Sequence, residues 1–182
     1  RSRTSLFLFA PDPNKVNGPP LDIHMRLSNP ELTLDEARKI MEMLRGLPPA
    51  KNREIVIWGG QVFAGAPVEF YTNAIKILQS KGYRVLADFK SFLKPEEMVA
   101  IMRAAPTIIK PNLEEFARLF GLSHEQMKGQ GKIRYVAEKA WTLAKEYDIE
   151  MLIVSMEEQG AIAVYFNGFD VDGRKNYSVI HV

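Results

Sequence analysis

Ile108-Ile109-Lys110-Pro111-Asn112-Leu113-Glu114-Glu115 is the stretch whose reading decides this chain. An apolar strand stops at Lys-Pro-Asn, and a helix opens at once with two acids. One short turn thereby gathers a cation, an amide and carboxylates at the C-terminal end of a strand. In open α/β sheets, ligands bind at that edge.

Upstream of this turn, strand and helix signals alternate. Thr4 to Ala10 reads as a strand, stopped by Pro11-Asp12-Pro13-Asn14. Residues 11–32 hold five prolines and read as a long connection. Thr33-Leu34-Asp35-Glu36 has the capping-box form, so a helix is expected from Leu34 to about Leu44, stopped by Gly46 and Pro48-Pro49. Glu54 to Trp58 is a short strand, followed by the glycine-rich loop Gly59 to Gly65. Pro67 starts a helix carrying Phe70, Ala74, Ile77 and Leu78 on one face. Tyr83 to Ala87 is a strand ending at Asp88, and Pro95 starts another helix.

Downstream, a helix runs from Leu113 to Phe120, and an amphipathic helix spans about Ile133 to Tyr147. Lys128-Gly129-Gln130-Gly131-Lys132 between them reads as a linker; its glycines follow no strand, so it is not a phosphate loop. Met151 to Val154 is a strand, and Ala161 to Phe166, closed by Asn167-Gly168, is its antiparallel or edge companion. Strands separated by helices of this length imply right-handed βαβ units and a mostly parallel sheet with helices on both faces.

Composition narrows the function classes. The chain has 182 residues, enough for a substantial core, and a net charge of +2 points to neither nucleic acid nor membrane as a partner. It has no cysteine, which removes disulfides, thiolate metal sites and cysteine nucleophiles and is compatible with a cytoplasmic location. His24, His124 and His181 are scattered without an i,i+4 pair, a spacing that makes no zinc site. The chain opens Arg1-Ser2-Arg3-Thr4 without methionine and breaks off in strand-like sequence at Val182, as a fragment would.

Each candidate site residue has a purely structural reading beside the chemical one. Asn112 and Glu115 form a helix cap by spacing alone, while a carboxylate there can also hold a magnesium-bound water. Lys110 is a solvated strand end or a neutraliser of phosphate charge. The glycines after Trp58 make a flexible connection or allow close backbone approach to a ligand. Asp88 is a turn former or a site carboxylate. Ser155 and Gly160 flank a loose hairpin or line a site.

Taken in order, these pieces resemble the ribokinase-like (PfkB) carbohydrate kinases. The likeness is greatest to the sugar-phosphate branch that includes 1-phosphofructokinases and tagatose-6-phosphate kinases. Arg3-Thr4-Ser5 before an apolar strand resembles the branch's T-R-[TQ]-N strand, and Val16-Asn17-Gly18-Pro19-Pro20 its I-N-x-P-G-P segment. Ile57 to Tyr71 is similar to S-G-S-L-P-P-G-V-P-x-x-F-Y, Val85 to Asp88 to the strand before D-[TS]-S-G, Lys110-Pro111-Asn112 with Glu115 to K-P-N-x-x-E, and Val154-Ser155 with Gln159-Gly160-Ala161 to V-S-L-G-x-x-G-A.

The resemblance implies a ribokinase-like sheet plus part of a small β lid. Residues 1–20 would form the partial lid and its return, and 21–182 the α/β core. It implies ATP-dependent phosphorylation of a sugar phosphate, with Mg2+, in a protein that can pair as a homodimer through the lid. Arg3 and Gly60 would bind substrate. Lys110, Asn112, Ser155 and Gly160 would bind nucleotide, and Glu115 and Asp88 would hold magnesium through water.

The departures are specific. Both serines of the S-G-S loop are absent, Glu157 stands where the family usually has glycine, and Asp88 is followed by Phe89-Lys90-Ser91. The Gly-Ala-Gly-Asp motif, which would supply the catalytic base, is not in the chain, so the 182 residues alone are expected to be inactive. Two alternatives stand beside the kinase: a non-catalytic ribokinase-like protein that binds a sugar phosphate or nucleotide, and an unrelated Rossmann-like fold.

Overall fold

A computed structural model describes residues 3–10, 21–28, 31–90, 94–123, 125–127 and 130–182, which divide into two units, Arg1–Ser91 and Phe92–Val182. Strands β1 (Arg3–Ala10) and β2 (Leu21–Ser28) pair antiparallel, from Arg3↔Ser28 to Ala10↔Leu21, in a two-stranded sheet of their own. Strand β2 corrects the reading of 11–32 as one long connection. Leu21, Ile23, Met25 and Leu27 alternate with Asp22, His24, Arg26 and Ser28, which is the period of a strand. Residues 11–20, with the Val16 to Pro20 segment, lie outside the described residues, as does the Arg3 side chain.

Helix α1 (Leu34–Gly46) starts at the expected capping box: Glu36 N–H donates to Thr33 Oγ1 at 3.2 Å, and Thr33 N–H to the Glu36 carboxylate at 2.9 Å. Strand β3 (Ile55–Gln61), helix α2 (Val68–Ser80) and strand β4 (Arg84–Lys90) form a parallel β-α-β unit, registered from Ile55↔Arg84 to Gln61↔Lys90. Two expectations change here. Gly59 and Gly60 belong to β3, not to a loop, and Asp88 sits inside β4 opposite Gly59 instead of closing the strand. The buried stripe of α2 is Phe70, Tyr71, Ala74, Ile75 and Leu78; Ile77 is only half-buried. In and just before β4, Tyr83, Val85, Ala87 and Phe89 are buried in strict alternation, so one face of the strand is core.

The second unit begins with α3 (Pro95–Arg103), which has Pro95 in its first turn. Strand β5 (Ile108–Ile109) and strand β6 (Met151–Ser155) pair in parallel, Ile108↔Met151 and Ile109↔Leu152. The crossover between them carries α4 (Leu113–Arg118) and α5 (Gln130–Glu146). Gln130, Gly131 and Lys132 open α5, so the expected linker is helical there; Lys128 and Gly129 lie outside the described residues. Strands β7 (Ala161–Phe169) and β8 (Lys175–His181) continue antiparallel. Asn167-Gly168 do not end β7. They fall at a register irregularity between Phe166 and Phe169, with Gly168 at φ +95° as a bulge requires, and the turn comes later, where Asp170 N–H donates to Arg174 O at 2.8 Å. Among the described residues no helix is long and apolar enough to cross a membrane.

Candidate functional site

The second unit gathers five of the sequence-derived candidates at one strand edge. Past β5, the chain runs on beside β6: Ser155 N–H donates to Pro111 O at 3.2 Å, and Asn112 and Ser155 form a parallel bridge. Lys110, one residue past β5, is half-buried, while Asn112 is exposed. The C-terminal ends of two parallel strands thus bring Lys110, Asn112 and Ser155 together.

Asn112 is also the N-cap of α4, and the capping box is closed in both directions. Glu115 N–H donates to Asn112 Oδ1 at 2.8 Å, and Asn112 N–H donates to Glu115 Oε2 at 2.9 Å. Glu115 is 7% exposed and is the buried charged residue among those described. A buried carboxylate needs hydrogen-bond donors to offset lost hydration, and the cap supplies one of them. The structural reading of Asn112 and Glu115 is therefore correct. The cap also fixes the carboxylate at the strand edge, and an aspartate or glutamate so fixed is what a water-bridged magnesium requires. Among the described residues, no cluster of three or more His, Asp or Glu side chains is placed to hold a metal directly. The donor set fits magnesium carried on phosphate and water, not a protein cage.

Gly160 closes the other side of this edge. Met156 N–H donates to Gly160 O at 2.8 Å, Gln159 N–H to Met156 O at 3.0 Å and Gly160 N–H to Glu157 O at 3.1 Å. The connection from β6 to β7 is a tight 3-10 turn, Glu157–Gln159, not a loose hairpin. Gly160 has φ +79°, and a Cβ there would lie 1.7 Å from Val182 O, so only glycine fits.

The first unit carries its own strand-end group. Gly59 lies opposite Asp88 and Gly60 opposite Phe89, with Gly60 one residue and Asp88 two residues short of the C-terminal ends of neighbouring parallel strands. A Cβ on Gly59 would meet Asp88 O at 2.2 Å. The segment after β3 is anchored: Phe63 N–H donates to the Tyr71 hydroxyl at 2.6 Å. Phe63 stacks on Tyr71 with centroids 6.5 Å apart, and Tyr71 meets Phe89 edge-on at 5.2 Å. Trp58 is 2% exposed beneath this cluster, and its indole N–H has no partner among the described residues. Sequence reasoning missed that Gly59 packs against the Asp88 carbonyl and that the Tyr71 hydroxyl anchors Phe63. Their signal is the recurrence of aromatics at Trp58, Phe63, Phe70 and Tyr71, which pins a segment that composition alone makes look flexible.

The geometry has solved counterparts. Phosphofructokinase-2 from Escherichia coli, solved with substrates and products, is 21% identical with a TM-score of 0.61 over 88% of this chain and 46% of its own. The tetrameric inhibited form of the same enzyme gives a TM-score of 0.60 at 21% identity, again over 88% of this chain and 46% of its own. These likenesses establish the fold as ribokinase-like α/β. Tagatose-6-phosphate kinase of Staphylococcus epidermidis is 24% identical over 153 residues, covering 84% of this chain and 46% of that enzyme. The chain therefore spans about half the length of these relatives. Residues 28–179 match the pfkB family of carbohydrate kinases, and the chain belongs to that family.

Proposed function

We propose that this chain is part of a sugar-phosphate kinase of the phosphofructokinase or tagatose-6-phosphate kinase type. The reaction would transfer the terminal phosphoryl group of ATP to a sugar-phosphate hydroxyl. The observation that carries this reading is the Asn112–Ser155 bridge, which joins two strand ends around a capped, buried Glu115. Phosphoryl transfer is mostly positioning and electrostatic stabilisation, and rigid strand ends supply positioning. Lys110, Asn112, Ser155 and Gly160 would line the nucleotide. Glu115 would hold a water of the magnesium ion. That ion, when bound, draws charge from the phosphate oxygens.

Gly60 would present its backbone to the sugar, and Arg3 would grip the substrate phosphate with its guanidinium. The β1–β2 pair would belong to a lid over the sugar, with residues 11–20, and two such lids would meet in a homodimer. A cytoplasmic location fits an enzyme using ATP and sugar phosphates.

The test is calorimetric titration of the chain with Mg-ATP and with fructose 6-phosphate, tagatose 6-phosphate and fructose 1-phosphate. A radiolabel transfer assay on a longer protein containing it completes the test. Binding of ATP and one sugar phosphate, with transfer by the longer protein, is expected. Failure to bind any of these ligands refutes the reading. Binding without transfer in the longer protein selects the non-catalytic alternative, which the non-glycine residue at position 157 favours. Arg3→Ala in the longer protein should raise KM for the sugar phosphate strongly and for ATP little.

A further inference from the structure

The turn between β6 and β7 is held by a side chain 22 residues away. His181, at the end of β8, donates from Nε2 to Gln159 O at 2.7 Å. A carbonyl oxygen only accepts, so Nε2 carries the proton. The N–H of the same peptide group, that of Gly160, donates to Glu157 O at 3.1 Å. The Gln159–Gly160 peptide plane is therefore bonded at both of its polar ends. Beyond Gly160 the β7–β8 ladder closes with Ala161 N–H to Val182 O and Val182 N–H to Ala161 O, both at 2.9 Å, and His181 itself pairs with Ile162. The ladder thus fixes the backbone from which the ring reaches the turn.

This bond acts where the backbone is least committed. Rotating the plane changes only ψ of Gln159 and φ of Gly160, and glycine takes either sign of φ. The same turn carries Glu157 at φ +54°, which a non-glycine residue keeps only where surrounding bonds hold it. We infer that His181 is a positioning residue of the nucleotide edge, its ring clamping the Gln159–Gly160 peptide plane in the orientation a nucleotide meets. The inference rests on the reading that Gly160 lines a nucleotide. A turn that samples a second orientation binds in proportion to its competent fraction. Losing one hydrogen bond shifts that balance about three- to tenfold.

The experiment compares the wild-type chain with His181→Phe, His181→Ala and His181→Gln. Phenylalanine keeps a ring without a donor, alanine removes the side chain, and glutamine returns an N–H donor at about the reach of Nε2. Calorimetric titration with Mg-ATP and Mg-ADP reads affinity, and amide exchange followed by NMR reads the Gly160 N–H. The phenylalanine and alanine variants should bind both nucleotides about three- to tenfold more weakly and exchange faster at Gly160, while the glutamine variant should stay within about twofold of the wild type in both readouts. If Gly160 exchanges no faster in the phenylalanine and alanine variants, the ring does not hold the plane and the inference fails. If exchange quickens and the wild type binds nucleotide, but affinity is unchanged, the bond only stabilises the turn; the inference fails and the kinase reading stands. Equal losses in all three variants, glutamine included, also overturn it. If neither the wild type nor any variant binds a nucleotide, the kinase reading fails and takes the inference with it.

Discussion

Replacing Gly59 by alanine should unseat the β3–β4 register. A Cβ built on Gly59 lies 2.2 Å from Asp88 O, 2.8 Å from its carbonyl carbon and 3.1 Å from its Cα. An ordinary carbon–oxygen contact is about 3.3–3.6 Å, so the two must part by roughly 1 Å. The obstacle is backbone inside a paired strand, not the end of a flexible side chain, so local rotation gives no relief. Overpacking of this kind costs about 1–3 kcal/mol, and a backbone obstacle places Gly59→Ala at the upper end, about 3 kcal/mol. For a chain of this size that lowers Tm by about 6–12 °C. Gly46→Ala is the control. Gly46 is the last residue of α1 with nothing within 4 Å of its built Cβ, so alanine there should be neutral or stabilise by up to about 1 kcal/mol. Urea denaturation with both variants separates the outcomes, provided m is unchanged. A Gly59→Ala loss below about 0.5 kcal/mol would refute the argument, because the strands would then be free to move apart at that point.

Other outcomes follow from the same reasoning. Asn112→Ala should cost about 1 kcal/mol by opening the capping box, measured by urea denaturation. Gly131→Ala, in the first turn of α5 with nothing within 4 Å, should stabilise by about 0.5–1 kcal/mol, seen as a higher urea midpoint. Tyr71→Phe strands the Phe63 amide and should cost about 1 kcal/mol, with faster hydrogen exchange at that amide. Stability should fall in alkali. Burial first, and then the Glu54 charge, hold the Tyr83 phenol above its ordinary value of 10.0. A raised folded pKa leaves that stabilisation whole below the unfolded value and removes it as pH rises through the folded one. Denaturation from about pH 8 to about pH 11 should show the loss, and Tyr83→Phe should reduce it, the rest lying with Tyr147 and Tyr177, whose phenols burial also raises.

Local signals made much of this fold legible. The capping boxes at Thr33 and Asn112 place two helix starts to the residue. Pro95 places a third. What the sequence hid depended on partners far along the chain. Gly59 and Gly60 look like loop because glycine is poor in strands. They are strand here because Gly59 lies against the Asp88 carbonyl 29 residues on, and only a residue without Cβ can do so. Proline density concealed β2, although apolar and polar residue types alternate along its sequence; the pairing that makes it a strand is with β1, across residues 11–20. Gly131 reads as linker because glycine breaks helices in isolation. Burial of Val136, Ala140 and Ala144 further along α5 outweighs that local cost.

The same contrast explains why the candidate site was partly readable. Lys110-Pro111-Asn112 and Glu115 stand within six residues, and their hydrogen bonds are local, so spacing alone predicts the cap. Spacing cannot say that Ser155 lies beside Asn112, because that needs β6 to be parallel to β5 across a crossover. Nor can it say that Glu115 is buried, which depends on the packing of α4. These two long-range facts change what the cap means. On an exposed helix, an Asn–Glu box adds about 1 kcal/mol of stability and nothing else. At the junction of two strand ends, with its carboxylate buried and bonded to the Asn112 amide, it becomes a rigid polar group at the edge proposed above for the nucleotide. A side chain held by such a bond need not be ordered when a ligand arrives, which is what preorganisation of a site requires. Under the proposed function capping and ligand chemistry are one arrangement, and Glu115→Gln tests it. Glutamine can still accept the Asn112 N–H through its amide oxygen, so the cap should survive with a loss under about 1 kcal/mol by urea denaturation. The charge is gone, so Mg2+-dependent ATP binding should weaken about tenfold or more while Mg2+-free binding holds. Equal weakening with and without Mg2+ would reduce Glu115 to a cap.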